Sequence, residues 1–186
     1  LRAGAGEVLG YELVQWGPWG NATITLGLLG DSISLWWAIV VTGVGFLIHV
    51  YSSGYMHGDP GFGRYFAKLN YFVFAMSLLV LSDNYVGLLI GWANVGLASF
   101  MLIGFWNQRT EAAKAAMKAF VMNAIGEVGL ILAAVIMYVH FGSFRFESIF
   151  AQAADVNATV ATAIGLLLLV AAVAKSAQLP LHSWLP

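Results

Sequence analysis

Two ionisable residues stand where an apolar chain rarely keeps them. Glu127 interrupts the run from Ala119 to Phe141, and Lys175 follows nineteen residues without a charge, Val156 to Ala174. A charge at the centre of a bilayer helix costs about 2.5–3.5 kcal/mol on insertion scales, so each needs a reason to be there. Glu127 comes nine residues after Lys118, which at ~1.5 Å per residue is roughly 13–14 Å of helix. At that depth the protonation state of a carboxyl depends on its neighbours, which suits it to taking and releasing protons; the plainer reading is a neutral acid bonded to an adjoining helix. A buried lysine can likewise be switched between charged and neutral by a nearby acid, whereas an end-of-helix lysine simply snorkels to the interface. His182, beyond Pro180, has the chemistry of a proton relay or of an ordinary structural histidine.

The rest of the composition says what surrounds these groups. Of 186 residues 60% are hydrophobic and 9% charged, and the mean hydropathy is +0.82. Soluble domains are about one-quarter charged. Seventeen charges cannot cover the surface of a 20.0 kDa soluble domain, so an ordinary globular enzyme, a disordered chain and a nucleic-acid binder are excluded and lipid is the expected solvent. The net charge of −1 points to no charged partner, and the absence of cysteine removes disulfides, thiolate catalysis and Cys-ligated metals. The chain runs from Leu1 to Pro186, inside the apolar Leu179-Pro180-Leu181-His182-Ser183-Trp184-Leu185-Pro186, and reads as an internal piece of a longer membrane protein.

Charge-free windows predict an all-α membrane protein with five spans, at about 35–55, 65–82, 84–106, 119–141 and 158–179. Pro180 is expected to break or kink the last. Arg64, Lys68, Arg109, Lys114 and Lys118 fall in the 56–68 and 107–118 loops, against Arg2 and Arg145 in the other two segments. The excess of basic residues puts those loops in the cytoplasm and the N-terminal segment and the 142–157 loop outside. Residues 1–34 read as an outer-face β-hairpin: Tyr11–Trp16 and Ala22–Leu26 flank a turn, Gly17–Asn21. The 107–118 stretch reads as a separate short helix with a Glu111–Lys114 pair.

Other residues read as structural. Asn21-Ala22-Thr23 and Asn157-Ala158-Thr159 fit the glycosylation sequon, a common chance triplet. His49, His57 and His140 are too scattered for a metal or haem site. The seven tryptophans, Trp92 among them, suit an aromatic belt, and Gly91, Gly96 and Gly104 suit close helix packing.

Several longer strings are familiar. They are Val41 to Tyr51 (VTGVGFLIHVY) with Gly54-Tyr55-Met56 and Asp59-Pro60-Gly61; Gly91-Trp92 with Val95 to Trp106 (VGLASFMLIGFW); Lys118-Ala119-Phe120-Val121-Met122-Asn123; and Lys175-Ser176-Ala177-Gln178-Leu179-Pro180 running on to Pro186. Together they resemble the subunit L family of proton-translocating NADH-quinone oxidoreductase, respiratory complex I, an antiporter-like family of membrane subunits. The resemblance covers nearly the whole chain in the family's order. It implies a bundle of about fourteen core helices containing two inverted five-helix repeats, of which this chain would be helices three to seven, the last of them broken.

The resemblance also implies a function: moving protons across the inner membrane within a membrane arm of other such subunits, with quinone reduction carried out elsewhere and no cofactor in this chain. It carries the family's proton-handling lysine onto Lys175. The family's partner glutamate, directly after Gly-Trp, is here Ala93, followed by Asn94. The family's Asn-Arg-x-Gly-Asp is here Asn123-Ala124-Ile125-Gly126-Glu127. An acid and a base have gone together, which leaves no uncompensated charge between them, and Glu127 remains as the acid to bias Lys175. The same motifs are shared by Mrp-type cation/proton antiporters and by membrane subunits of hydrogenase and bicarbonate-uptake systems, the alternative reading; a purely structural paralogue is a third, to which Ala93 and Ala124 lend weight.

Overall fold

A bilayer hydrates no backbone amide, so the chain can cross it only where its own helices satisfy those groups. The computed structural model describes residues 8–19 and 22–185. Arg2, Asn21 and Pro186, which entered the charge balance, the first sequon and the terminal run, lie outside the described residues. Five helices are long and apolar enough to cross a membrane: α1 (Ser32–Tyr55), α2 (Phe62–Leu81), α3 (Tyr85–Ile103), α4 (Thr110–Phe141) and α6 (Ala158–Lys175). Between the last two lie a two-turn helix, α5 (Phe146–Gln152), and a single 3₁₀ turn, Ala153–Asp155.

The long helices pack in a row, α1 on α2, α2 on α3, α3 on α4 and α4 on α6. Polar side chains within them mostly bond back to their own helix, as apolar surroundings require. Thr42, Ser77, Asn94 and Asn123 each donate to the carbonyl four residues earlier. His49 and His140 do the same through Nδ1. One face of α1 is bare: Trp36, Ile39, Phe46, Leu47 and Tyr51 are all exposed.

Three boundaries differ from expectation. The 107–118 stretch is not a separate helix, because α4 begins at Thr110 and runs unbroken for 32 residues; Ala112, Ala113, Ala115, Ala116 and Ala119 give that stretch strong helix propensity and no break. The hairpin turn is shorter than Gly17–Asn21. Strands β1 (Leu9–Trp19) and β2 (Ala22–Gly30) stay paired through Pro18↔Thr23 and Trp19↔Ala22, and a bulge at Gly17, at φ +42°, absorbs the irregularity. Finally, α6 stops at Lys175, before Pro180 can act.

That stop is a helix-ending motif built without glycine. Ala177 takes the left-handed conformation at φ +50°, the N–H of Gln178 donates to Val173 and that of Ala177 to Ala174. This is the Schellman pattern, whose left-handed position is usually glycine because a Cβ there costs about 1 kcal/mol or more. The Trp184 indole N–H adds a 2.9 Å bond to the Ala174 carbonyl. The carbonyls of Ala172, Val173 and Ala174 are thus met by the chain's own donors.

Small residues bring α4 and α6 together beside this end. A Cβ on Gly126 would lie 2.5 Å from the Ala174 Cβ, and one on Gly129 would lie 2.9 Å from the Leu167 carbonyl oxygen. Gly91 does the same for α2 and α3, where a Cβ would lie 2.7 Å from the Leu79 backbone.

On the hairpin side the loops are knotted. Asp83 and Asn84, both buried, occupy the α2–α3 turn. Asn84 donates to the Thr25 carbonyl and to Asp83, and caps α3 by accepting from Gly87. The Asp83 N–H donates to Gly27, and its carbonyl accepts from Phe146. Arg145 reaches Glu12 at 2.9 Å and Asp83 at 3.8 Å. On the opposite side the Trp106 indole donates to Asp59, joining the 56–61 and 104–109 turns. The loops therefore segregate to two sides as the charge reading requires. Asp31 caps α1 in a reciprocal pair with Ser34, and the Ser34 backbone N–H at 2.7 Å holds its carboxyl below the usual aspartate value. That cap is intact above the ordinary aspartate range and fades as acid protonates Asp31.

Three substitutions test these features by thermal unfolding of the purified chain in detergent. Gly27→Ala puts a Cβ 2.3 Å from Asp83 Oδ2; it should cost roughly 1–3 kcal/mol and make the hairpin the first site of proteolysis. Gly126→Ala should cost a similar ~1–3 kcal/mol by forcing α4 off α6. Ala177→Gly should instead stabilise by about 1 kcal/mol, since only the left-handed penalty is removed.

Candidate functional site

Helix α3 carries no charge and α6 none before its last residue, so what happens in the bundle interior depends on what α4 and the end of α6 present. The Gly126–Ala174 contact decides this, because Glu127 and Lys175 are the residues that follow its two halves. Both are half-buried. Glu127 follows the contact on α4, but no carboxylate is within ion-pair distance of Lys175 among the described residues.

The Lys175 ammonium goes past α4 to α3. Nζ makes a long 3.4 Å bond to the Trp92 carbonyl and sits 5.3 Å above the Trp92 ring centroid. A Cβ on Gly96, one turn further along, would lie 3.6 Å from Nζ. Trp92 and Gly96 are seven and eleven residues from Tyr85, ~10 and ~16 Å along α3. The lysine therefore does not reach out to the end of the bundle; its head group rests against the middle of a neighbouring helix. Ala93, where the family resemblance expects glutamate, is the next residue after its seat, and Ala124 lies one turn of α4 before Glu127.

His182 is not brought to this site. It is exposed on the turns beyond α6, and its ring makes no hydrogen bond among the described residues. Trp184, two residues on, is the one that returns to α6. Among the described residues no group of three or more His, Asp or Glu side chains is placed to hold a metal.

Several positions near the site do more than the sequence suggested. Trp92 is not at a span end; it lies within α3, under the lysine. Gly96 borders the ammonium, whereas Gly91 and Gly104 do pack helices, against Leu79 and Ala116. Asn94, next to Ala93, accepts a short hydrogen bond from the Tyr71 hydroxyl across the α2–α3 seam. Lys68, one turn from Tyr71, lies within α2, donates to the Met101 carbonyl at 3.0 Å and sits 5.0 Å above the Phe105 ring. It thereby complements the negative end of the α3 dipole. Asn123, one turn before Glu127, keeps its carbonyl oxygen buried without a partner. The only clue available for Asn94 and Tyr71 was polarity inside otherwise apolar runs.

Comparison with known proteins agrees with this architecture. Residues 82–186 match the family described as NADH:quinone oxidoreductase/Mrp antiporter, TM. Residues 16–66 match the NADH-ubiquinone oxidoreductase (complex I) chain 5 N-terminus. The chain is 45% identical over 184 residues to NADH-quinone oxidoreductase subunit L of Mycobacterium tuberculosis (strain CDC 1551 / Oshkosh), covering 99% of this chain and 29% of that one. It is 45% identical over 175 residues to NADH-ubiquinone oxidoreductase chain 5 of Metridium senile, covering 94% and 29%. Among solved structures, the Mrp complex from Dietzia sp. DQ12-45-1b superposes with a TM-score of 0.88 at 29% identity, over 99% of this chain and 20% of that one. An archaeal membrane-bound sulfane sulfur reductase gives 0.71 at 27% identity, over 96% and 27%. The chain thus spans less than a third of the length of the proteins it matches. With more than half of its residues inside the first family match, the chain belongs to the NADH:quinone oxidoreductase/Mrp antiporter transmembrane family.

Proposed function

We propose that this chain is the part of a membrane-arm subunit of NADH-quinone oxidoreductase that passes protons through the bilayer, with Lys175 as the group that is charged and discharged. The observation that carries the reading is the position of the Lys175 head group against mid-α3, beside the Gly126–Ala174 contact that Glu127 and Lys175 follow. The chain contributes no redox chemistry, and without cysteine it has no thiolates for an iron–sulfur cluster; electrons move in other subunits. Its partners are neighbouring membrane-arm subunits, lipid along α1, and protons. The protein sits in the inner membrane, with the hairpin side outside and the basic turns in the cytoplasm, as the five bases on that side support.

The mechanism is electrostatic. A charge arriving next to Glu127 weakens or strengthens its pull on Lys175, and the lysine loses or gains a proton in answer. Among the described residues no carboxylate is bonded to the ammonium, so no ion pair need be broken for its proton to leave. Mrp-type antiport is the second reading, favoured by the close superposition on the Mrp complex. The 45% identity to the respiratory subunit, against 29% to the Mrp structure, favours the first.

Reconstituted vesicles holding the full subunit in its complex separate these readings. NADH-driven internal acidification is expected in the wild type. Lys175→Ala should slow it at least about tenfold and Glu127→Gln about threefold to tenfold, an effect of roughly 0.6–1.4 kcal/mol on the barrier. Sodium-gradient-driven proton movement with no response to NADH would support the antiporter instead. Unchanged flux in Lys175→Ala would leave only a structural role.

A further inference from the structure

A lysine that has lost its family acid still needs something to hold its charged form in place. We propose that Trp92 is a positioning residue for Lys175, its indole face and backbone carbonyl together forming the seat of the ammonium. The inference rests on the proton-transfer reading above and deepens it.

Four observations carry it. The ammonium has no carboxylate in ion-pair range among the described residues, and both the contacts it makes are with Trp92: the carbonyl at 3.4 Å and the ring centroid at 5.3 Å. A cation within about 6 Å of an indole face is attracted by the ring's quadrupole, more so where water is excluded. Gly96 borders the same head group, since a Cβ there would lie 3.6 Å from Nζ, at ordinary contact distance. Lastly, the other end of the lysine is also tied: the Schellman turn at Ala177 and the Trp184 bond to Ala174 fix the backbone on either side of its Cα. With base and head both held, Lys175 has one preferred reach, toward α3. An aromatic face holds a cation without a proton of its own to exchange. It can therefore orient Lys175 without competing for the transported proton, as a carboxylate at Ala93 would.

The test replaces Trp92, in the full subunit within its complex, by indoles carrying one, two, three and four fluorines. Fluorination drains the ring face while keeping its shape, so a packing role would not register it. NADH-driven proton uptake in vesicles should fall step by step with fluorine number, to about twofold to thirtyfold below the parent at full substitution. Trp92→Phe should retain more uptake than Trp92→Leu. Equal rates across the fluorinated series, or equal loss in Phe and Leu, would overturn the inference. A Lys175→Ala control in the same vesicles keeps the two readings apart: if it abolishes uptake while fluorination has no effect, only the role of Trp92 fails. If it leaves uptake intact, the proton-transfer reading itself falls, and this inference with it.

Discussion

A helix end in apolar surroundings exposes carbonyls that need donors, and the end of α6 supplies them from its own chain. The carbonyls of Ala172, Val173 and Ala174 accept from Ser176, Gln178 and Ala177, and Ala174 from the Trp184 indole as well. Everything else about the site follows from that closure. Because α6 can stop where it does, its last residue can be a lysine whose side chain crosses to the middle of α3. Because α4 approaches so closely at Gly126, Glu127 lies beside that lysine without being bonded to it. The left-handed Ala177 is a cost accepted for this arrangement, where glycine would have been the easier residue.

Ala93 and Ala124 add no charge around Lys175, whose head group meets the Trp92 carbonyl and ring face instead. Beside Ala93, Asn94 and Tyr71 join through a hydrogen bond that is neutral throughout. In a low-dielectric interior a neutral pair avoids the desolvation penalty that a second buried ion would bring.

How much of this the amino-acid sequence reveals depends on whether the signal is local. The spans were legible because exclusion of charge from lipid acts on each residue separately. The hairpin was legible from its strand-forming residues and its Gly-Pro punctuation. The course of α4 through 110–118 was misread because its Glu and Lys residues look like loop markers, although the alanines between them continue the helix. The stop of α6 was attributed to Pro180, the visible breaker, since an alanine in a glycine's role leaves no compositional trace. Lys175 and Glu127 stood out as rare charges. Trp92 did not, because in a chain with seven tryptophans only tertiary contact separates a seat for a cation from a belt residue.

The knot on the hairpin side bears on the order in which the molecule is made. Its bonds join Glu12, Thr25 and Gly27 to Asp83 and Asn84, and these to Arg145 and Phe146, across sequence separations of up to 133 residues. A chain inserted from its N-terminus delivers the hairpin first and the Arg145 segment only after α4 has crossed. Until then the Asp83 carbonyl and carboxylate and Glu12 lack their partners in the Arg145–Phe146 segment. The hairpin side is therefore completed late, in a single closing event that both demands four inserted helices and reports that they have crossed in the correct alternation.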